Sequence, residues 1–328
     1  MRLFSRFLAA GCALAGLLAG SSASAQPGPA YPAKPIRIIA AIPPGSPPDI
    51  VARVLSERLA ATFGQPVVVE NRPGASGTIG MNVLAKSAPD GYSFGVMSMP
   101  YTITPSLLLS VPYDTAKDLV AVRQVVWSGN ILVVQGSSPF RSVEELVAAA
   151  KAKPGELTFA SGGNATPAHL SGEFLRYRSG TQLRHIPYKG APEGIAALMG
   201  GQVTMMFAAA VAVAPHLKTG KLRALAVSTP ARIAGFPEIP TMIELGFADF
   251  DIRDWQGIVA PAGTPPGILA RMASEIDKIT AAPEVKKRFA SLGMEAVDRS
   301  SPEEFGALIR SEMARWAKFV RDAGIHID

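Results

Sequence analysis

LVAVRQVVWSGNILVV, residues 119–134, is a nearly continuous β-prone run with Ser128-Gly129-Asn130 in its middle. It is longer than an ordinary strand and carries β-branched or aromatic residues along most of its length. A second isolated run covers residues 252–259 and ends in Pro261-Ala262-Gly263-Thr264-Pro265. Elsewhere short apolar runs alternate with helical periods. Residues 36–42, 66–69, 92–97, 157–160, 183–186, 203–207 and 223–227 read as strands. Residues 49–63, 78–86, 142–151, 167–178 and 191–199 read as helices. Ser142 with Glu145, and Ser301-Pro302-Glu303-Glu304, have the spacing of capping boxes. The last helix then carries Phe305, Leu308, Ile309, Trp316, Phe319 and Val320 on one face. Such alternation predicts parallel sheets covered on both faces. The two long runs are then connectors that cross between two α/β lobes, with a cleft between.

Composition narrows the chemistry. The chain has 328 residues, about two domains' worth, with 32 Lys plus Arg against 26 Asp plus Glu. The densest basic run, Lys286-Lys287-Arg288, sits on an amphipathic helix, so no nucleic-acid stripe is present. One cysteine and four histidines leave little for a zinc or iron–sulfur site, and no cofactor is expected.

Arg2 and Arg6, an apolar stretch over residues 7–18, and Ala23-Ser24-Ala25 have the three-part layout of a secretory signal peptide, with the cut after Ala25. The apolar stretch is shorter than the roughly 20 residues a bilayer span needs. Gly11-Cys12 does not make a lipoprotein site, because only residues 7–10 separate it from Arg6. Cleavage removes Cys12 and both arginines, lowering the formal charge from +6 to +4. The expected product is an exported protein without disulfides, whose core must stand alone. The expected organisation is signal peptide 1–25, one lobe from 26–127 plus 253–328, and a second from 128–252.

Ligands of open α/β sheets bind beyond the carboxyl ends of the strands, where loops meet helix N-termini. Four such junctions here are rich in Gly, Ser and Pro: residues 43–49, 71–80, 161–166 and 188–191. Glycine permits close backbone approach, hydroxyls donate, and helix N-termini present free N–H groups with a positive partial charge. That describes a receptor for a carboxylate or phosphate without a buried cation. Four or five charge-assisted hydrogen bonds at about 1.5–3 kcal/mol each suffice for a micromolar ligand. Gly74-x-x-Gly77-x-x-Gly80 lacks the dinucleotide spacing, and no Walker lysine follows. Ser161 and His169 do not form a nucleophile elbow, so an enzyme is not expected.

At this point the chain resembles the Bug/TctC solute receptors of tripartite tricarboxylate transporters. The matching stretches are 31–36, Pro44-Gly45 through Asp49-Ile50-Val51-Ala52-Arg53, 64–74, 88–92, Pro187-Tyr188-Lys189-Gly190, 200–202, 220–227 and 260–265. The resemblance implies a two-lobed periplasmic binding protein of type II, a Venus flytrap with mixed, mostly parallel sheets and crossing hinge strands. It implies a periplasmic location, a small organic acid ligand, membrane transporter subunits as partners and a monomer. It also implies that the loops after the first strand and after strand 157–160 pinch the ligand carboxylate. Pro44, Gly45, Ser46, Ser161, Gly163, Thr166, Gly190 and Ala191 are the expected contacts, with Asp49 and Asn164 shaping the loops. Met99 and Tyr101 are candidates for the far end.

Departures from the family pattern bear on the ligand. Ser46 and Pro48 replace residues more usual there, and Pro48 brings no N–H. Gly162 and Ala165 replace a Ser and a Gly. Ala208 stands where many members carry an Asp or Asn that holds an amine. The expected ligand is therefore a small carboxylate without an ammonium group, aromatic or apolar at its far end. A ligand-sensing partner of a signalling receptor and an exported enzyme using the same cleft remain the alternatives.

Overall fold

The computed structural model describes residues 31–108, 110–233 and 235–324. The signal-peptide reading of residues 1–25 lies outside them. From Lys34 onward the chain forms one unit in the order β1 (Ile36–Ala40), α1 (Pro47–Phe63), β2 (Val67–Asn71), a 3-10 turn (Ala75–Gly77), α2 (Thr78–Ala85), β3 (Ser93–Ser98), α3 (Pro100–Leu107), α4 (Thr115–Asp118), β4 (Leu119–Ser128) and β5 (Asn130–Gln135). Then come α5 (Val143–Ala152), β6 (Thr158–Ser161), α6 (Pro167–Ser179), β7 (Arg184–Pro187), α7 (Ala191–Met199), β8 (Met205–Ala209), α8 (Ala210–Lys218), β9 (Leu222–Val227), β10 (Asp254–Pro261), α9 (Pro266–Ala281), α10 (Pro283–Ser291), β11 (Glu295–Ala296) and α11 (Pro302–Ala323).

The run 119–134 is two strands in two different sheets, broken at Gly129. The first sheet has the order β11-β4-β10-β3-β1-β2 and the second β7-β6-β8-β5-β9. Apart from β11 the two orders repeat one plan. In each, the strand arriving from the other sheet (β10 in the first, β5 in the second) slots in next to the last strand. Pairs β1–β2, β1–β3, β6–β7 and β6–β8 are parallel. Every antiparallel pair includes β4, β5 or β10. The reason is directional: β5 and β10 start at the cleft, whereas β1, β3, β6 and β8 run toward it. The sheets are therefore mixed around their crossing strands.

Ser228, fully buried, ties the two crossings together. Its hydroxyl accepts the Asn130 N–H at 3.1 Å and donates to the Ile252 carbonyl at 2.9 Å. Its own N–H donates to the Asn130 carbonyl, and its carbonyl accepts from the Ile252 N–H.

Helix α1 starts two residues earlier than its apolar period suggests, because Pro47 and Pro48 occupy positions whose N–H groups have no helical partner. Helices α3 and α8 were not legible as helices: their Thr- and Val-rich segments, each with an internal proline, favour other conformations. Ser301 and Glu304 form the full capping box. At the other expected box, Ser142 accepts the Glu145 N–H at 3.1 Å, but the Glu145 carboxylate takes the Arg141 N–H instead, so that box is one-sided.

The apolar stripe of α11 packs against both halves of the molecule. Phe305 meets Trp255 of β10 edge-on at 5.4 Å. One end further along, Phe319 lies 5.2 Å and Trp316 6.4 Å from Phe174 of α6. Arg315 adds hydrogen bonds to the carbonyls of Asp249 and Asp251.

Candidate functional site

Between the two sheets lies a cavity of about 680 Å³, within the range of small-molecule sites. Four sequence-predicted junctions reach it: Ser46, Pro47 and Pro48 at the start of α1; Gly74, Ser76 and Gly77 before α2; Asn164 to Ala168 at α6; Gly190 and Ala191 at α7. Tyr101, Thr104, Asn130, Phe207, Ala208 and Asp254 line it as well. Two close approaches build this shape. A Cβ on Gly162 would lie 2.8 Å from the Ala191 nitrogen, so glycine lets the α6 and α7 entry loops stack. A Cβ on Gly77 would lie 2.2 Å from the Tyr101 ring, so glycine also seats that ring.

Of the residues expected to touch ligand, Ser46, Tyr101, Asn164, Thr166, Gly190, Ala191 and Ala208 line the cavity; Pro44, Gly45, Asp49, Met99, Ser161 and Gly163 do not. Gly45, Ser161 and Gly163 hold the loops together instead, Asp49 shapes its loop as expected, and Met99 packs in the core. The Asp49 carboxylate, 1% exposed as a residue, accepts from Gly45 N–H at 2.8 Å, Arg53 Nε at 2.9 Å and Asn71 Nδ2 at 2.8 Å. Burial pushes this carboxyl up, but the hydrogen bonds from Arg53, Gly45 and Asn71 outweigh it and hold it below the usual range. Gly45 thus spends its N–H on the brace. Met99 is fully buried in the core, two positions before Tyr101.

Ser161, also fully buried, hydrogen-bonds His185 Nε2 at 2.6 Å and accepts the Gly163 N–H at 3.1 Å. His169 Nδ1 accepts the Ala165 N–H at 3.1 Å, supporting the left-handed turn at Ala165 (φ 59°). The imidazoles of His169 and His185 lie 4.2 Å apart. Burial, then the neighbouring His185 and Arg176, push His169 down to about 3; burial pushes His185 down to about 4. Both histidines are therefore neutral props under the α6 entry loop.

The helix ends differ in what they offer. Pro47 and Pro48 remove two of the first-turn donors of α1. At α6, Thr166 caps the His169 N–H at 3.3 Å and donates its hydroxyl to the Gly163 carbonyl at 2.8 Å, leaving Ala168 as a first-turn amide at the cavity wall. At α7, Ala191 is the corresponding first-turn amide. Ser46 donates to the Pro43 carbonyl at 2.7 Å. Among the described residues, no Lys, Arg or His lines the cavity. Among the described residues, no group of three or more His, Cys, Asp or Glu is placed to hold a metal ion.

Asp254 is the residue that sequence reading missed. It is the first residue of β10, it lines the cavity, and burial pushes its carboxyl up to about 7, with the Gln256 side chain pulling the other way. Burial likewise pushes the Tyr101 phenol up, Ser98 pulls it down, and the nearby Tyr113 and Asp254 add to the rise.

Two mixed sheets, two crossing strands and an open cleft ringed by helix entries define a two-lobed solute-binding protein. The profile of the tripartite tricarboxylate transporter family receptor, TctC, matches residues 51–325, and the chain belongs to that family. Protein BugT of Bordetella pertussis is 38% identical over 314 residues, covering 95% of this chain and 94% of its own. Among solved structures, the periplasmic binding protein BugD is 31% identical with a TM-score of 0.76, covering 90% of this chain and all of its own. A protein of R. palustris solved with adipate is 29% identical with a TM-score of 0.78, over 90% of this chain and all of its own.

Proposed function

We propose that the protein is a periplasmic receptor that closes around a small organic carboxylate and hands it to a membrane transporter of the tripartite tricarboxylate type. The observation that carries this reading is the cleft itself. The first-turn residues Ala168 and Ala191 line one cavity in which, among the described residues, no cationic side chain stands, while the Ser46 and Thr166 hydroxyl protons are held by the Pro43 and Gly163 carbonyls. A helix entry stabilises an anion by about 0.3–1 kcal/mol, and hydrogen bonds to a charged group contribute about 1.5–3 kcal/mol each. A cation-free ring of this kind suits a carboxylate better than a multiply charged phosphate. The relative solved with adipate supports the ligand class.

In this reading the chain is exported by the signal peptide 1–25, cut after Ala25, and works as a monomer. Its lobes comprise 26–127 plus 253–328, and 128–252. Binding takes no covalent chemistry. The test is a thermal-shift panel of organic acids on the chain from Gln26 onward. An acid at about 100 times its dissociation constant adds about 2.7 kcal/mol of apparent stability. A broad panel in which no acid moves the transition removes the reading.

A further inference from the structure

The hinge side of the cleft holds three buried polar atoms that make no hydrogen bond of good geometry: Tyr101 Oη, which has Ser98 beside it, Asn130 Nδ2, and Asp254 Oδ1, which has the Gln256 side chain beside it. Tyr101 is 4% and Asn130 7% exposed. The three arrive on separate elements, since Tyr101 is on α3 while Asn130 and Asp254 open the two crossing strands β5 and β10. No local turn motif brings them together. Buried polar groups are almost always paired, and leaving one unpaired is costly. All three residues line the same cavity, so the cavity is where a shared partner would enter.

The chemistry of that partner is constrained. A second carboxylate would have to share a proton with Asp254, because no described Lys, Arg or His lines the cavity to neutralise two charges. An ammonium would satisfy Asp254 but set its positive charge against the N–H donors of Asn130, which need an acceptor. A hydroxyl accepts from Asn130, donates to Asp254, and pairs with the Tyr101 phenol in either sense. It also adds no charge to a low-dielectric floor.

We propose that Tyr101, Asn130 and Asp254 form the subsite for the far end of the ligand, and that the group seated there is a neutral hydroxyl. The preferred ligand is then a monoanionic hydroxy acid, with its carboxylate at the loops and its hydroxyl on the hinge strands. This rests on the carboxylate reading above and replaces the apolar far end that Ala208 alone suggested. Because Ser228 ties Asn130 itself to Ile252, two positions before Asp254, a ligand held here bridges loop and hinge.

The test is calorimetry on the chain from Gln26 onward with two series, hexanoate and benzoate, each bearing hydrogen, hydroxyl, amine or carboxylate at the far end. In at least one series the hydroxy acid is expected to bind at least about tenfold tighter than its parent. Tyr101→Phe and Asp254→Ala are each expected to erase most of that preference, read as the ratio of hydroxy-acid to parent-acid affinity within the same variant. The phenylalanine variant serves if the alanine variant does not fold. Equal binding of hydroxy and parent acids, or preference for the amine or second carboxylate, overturns the floor assignment alone. Failure of every acid in both series to bind overturns the carboxylate reading with it.

Discussion

Ser161 and His185 share a hydrogen bond of 2.6 Å beneath the entry to α6, and neither residue lines the cleft. The hydroxyl that looked like a ligand contact is a strut. Ser161→Ala would leave the His185 ring nitrogen and the Gly163 N–H without their partner. The expected loss is about 1–3 kcal/mol of stability in urea unfolding, with a change in midpoint and little change in slope. A variant as stable as the parent would mean that the pair is incidental.

The two histidines give stability a pH dependence of definite sign. Their folded pKa values of about 3 and about 4 lie below the ordinary 6.5, so between those limits the unfolded chain binds more protons. Their contribution is complete above about pH 6.5 and is lost as pH falls toward 4. Asp254, raised to about 7, acts in the opposite sense, being least costly at low pH. The comparison is therefore between the protein and His185→Gln, not of one protein across pH. Relative to that variant, the parent should lose up to about 1.4 kcal/mol per pH unit below 6.5. Parallel stability curves would show that His185 titrates alike in both states.

Ser228→Ala cuts the side-chain tie between the two crossing segments while leaving their backbone bonds. The Asn130 N–H and the Ile252 carbonyl lose partners in a fully buried place. A loss of about 1–3 kcal/mol is expected, together with weaker ligand binding through a faster off-rate. Stopped-flow release of a bound acid reads the second effect; an unchanged off-rate would separate the tie from closure.

Asp49 braces the loop ahead of α1 and does not line the cavity. Asp49→Ala strands three donors, on Gly45, Arg53 and Asn71, and should cost more than Arg53→Ala, whose side chain is largely exposed. Asp49→Asn keeps one acceptor and should fall between the two. The order of the three midpoints is the check.

Much of the fold was readable because its signals are periodic. Gly129, set inside a run of β-branched residues, marks a place where a strand cannot continue in one sheet. The loops of the site were readable because Gly, Ser and Pro cluster where strands run into helices, at residues 43–49, 71–80, 161–166 and 188–191. Which loop residue faces the cleft was not readable. Met99 and Tyr101 are two positions apart on a helix entry that the sequence does not announce, so one falls into the core and the other onto the cavity. Ser161 ends a strand that is buried on both faces, and an alternating pattern carries no sign there. Asp254 is a single acid ahead of an apolar run, with no spacing or motif around it. Its role is visible only after β10 is inserted beside β4.

That insertion also bears on the order of assembly. Strand β10 sits between β3 and β4, yet it is made only after all of β5 to β9. The second sheet is contiguous in sequence and can complete itself from its own residues. The first is two separate pieces until residues 254–261 reach the slot between them. Contacts of such long sequence separation are slow to form. For a chain read as crossing a membrane before it folds, the late strand makes the N-terminal sheet the last part of the molecule to close.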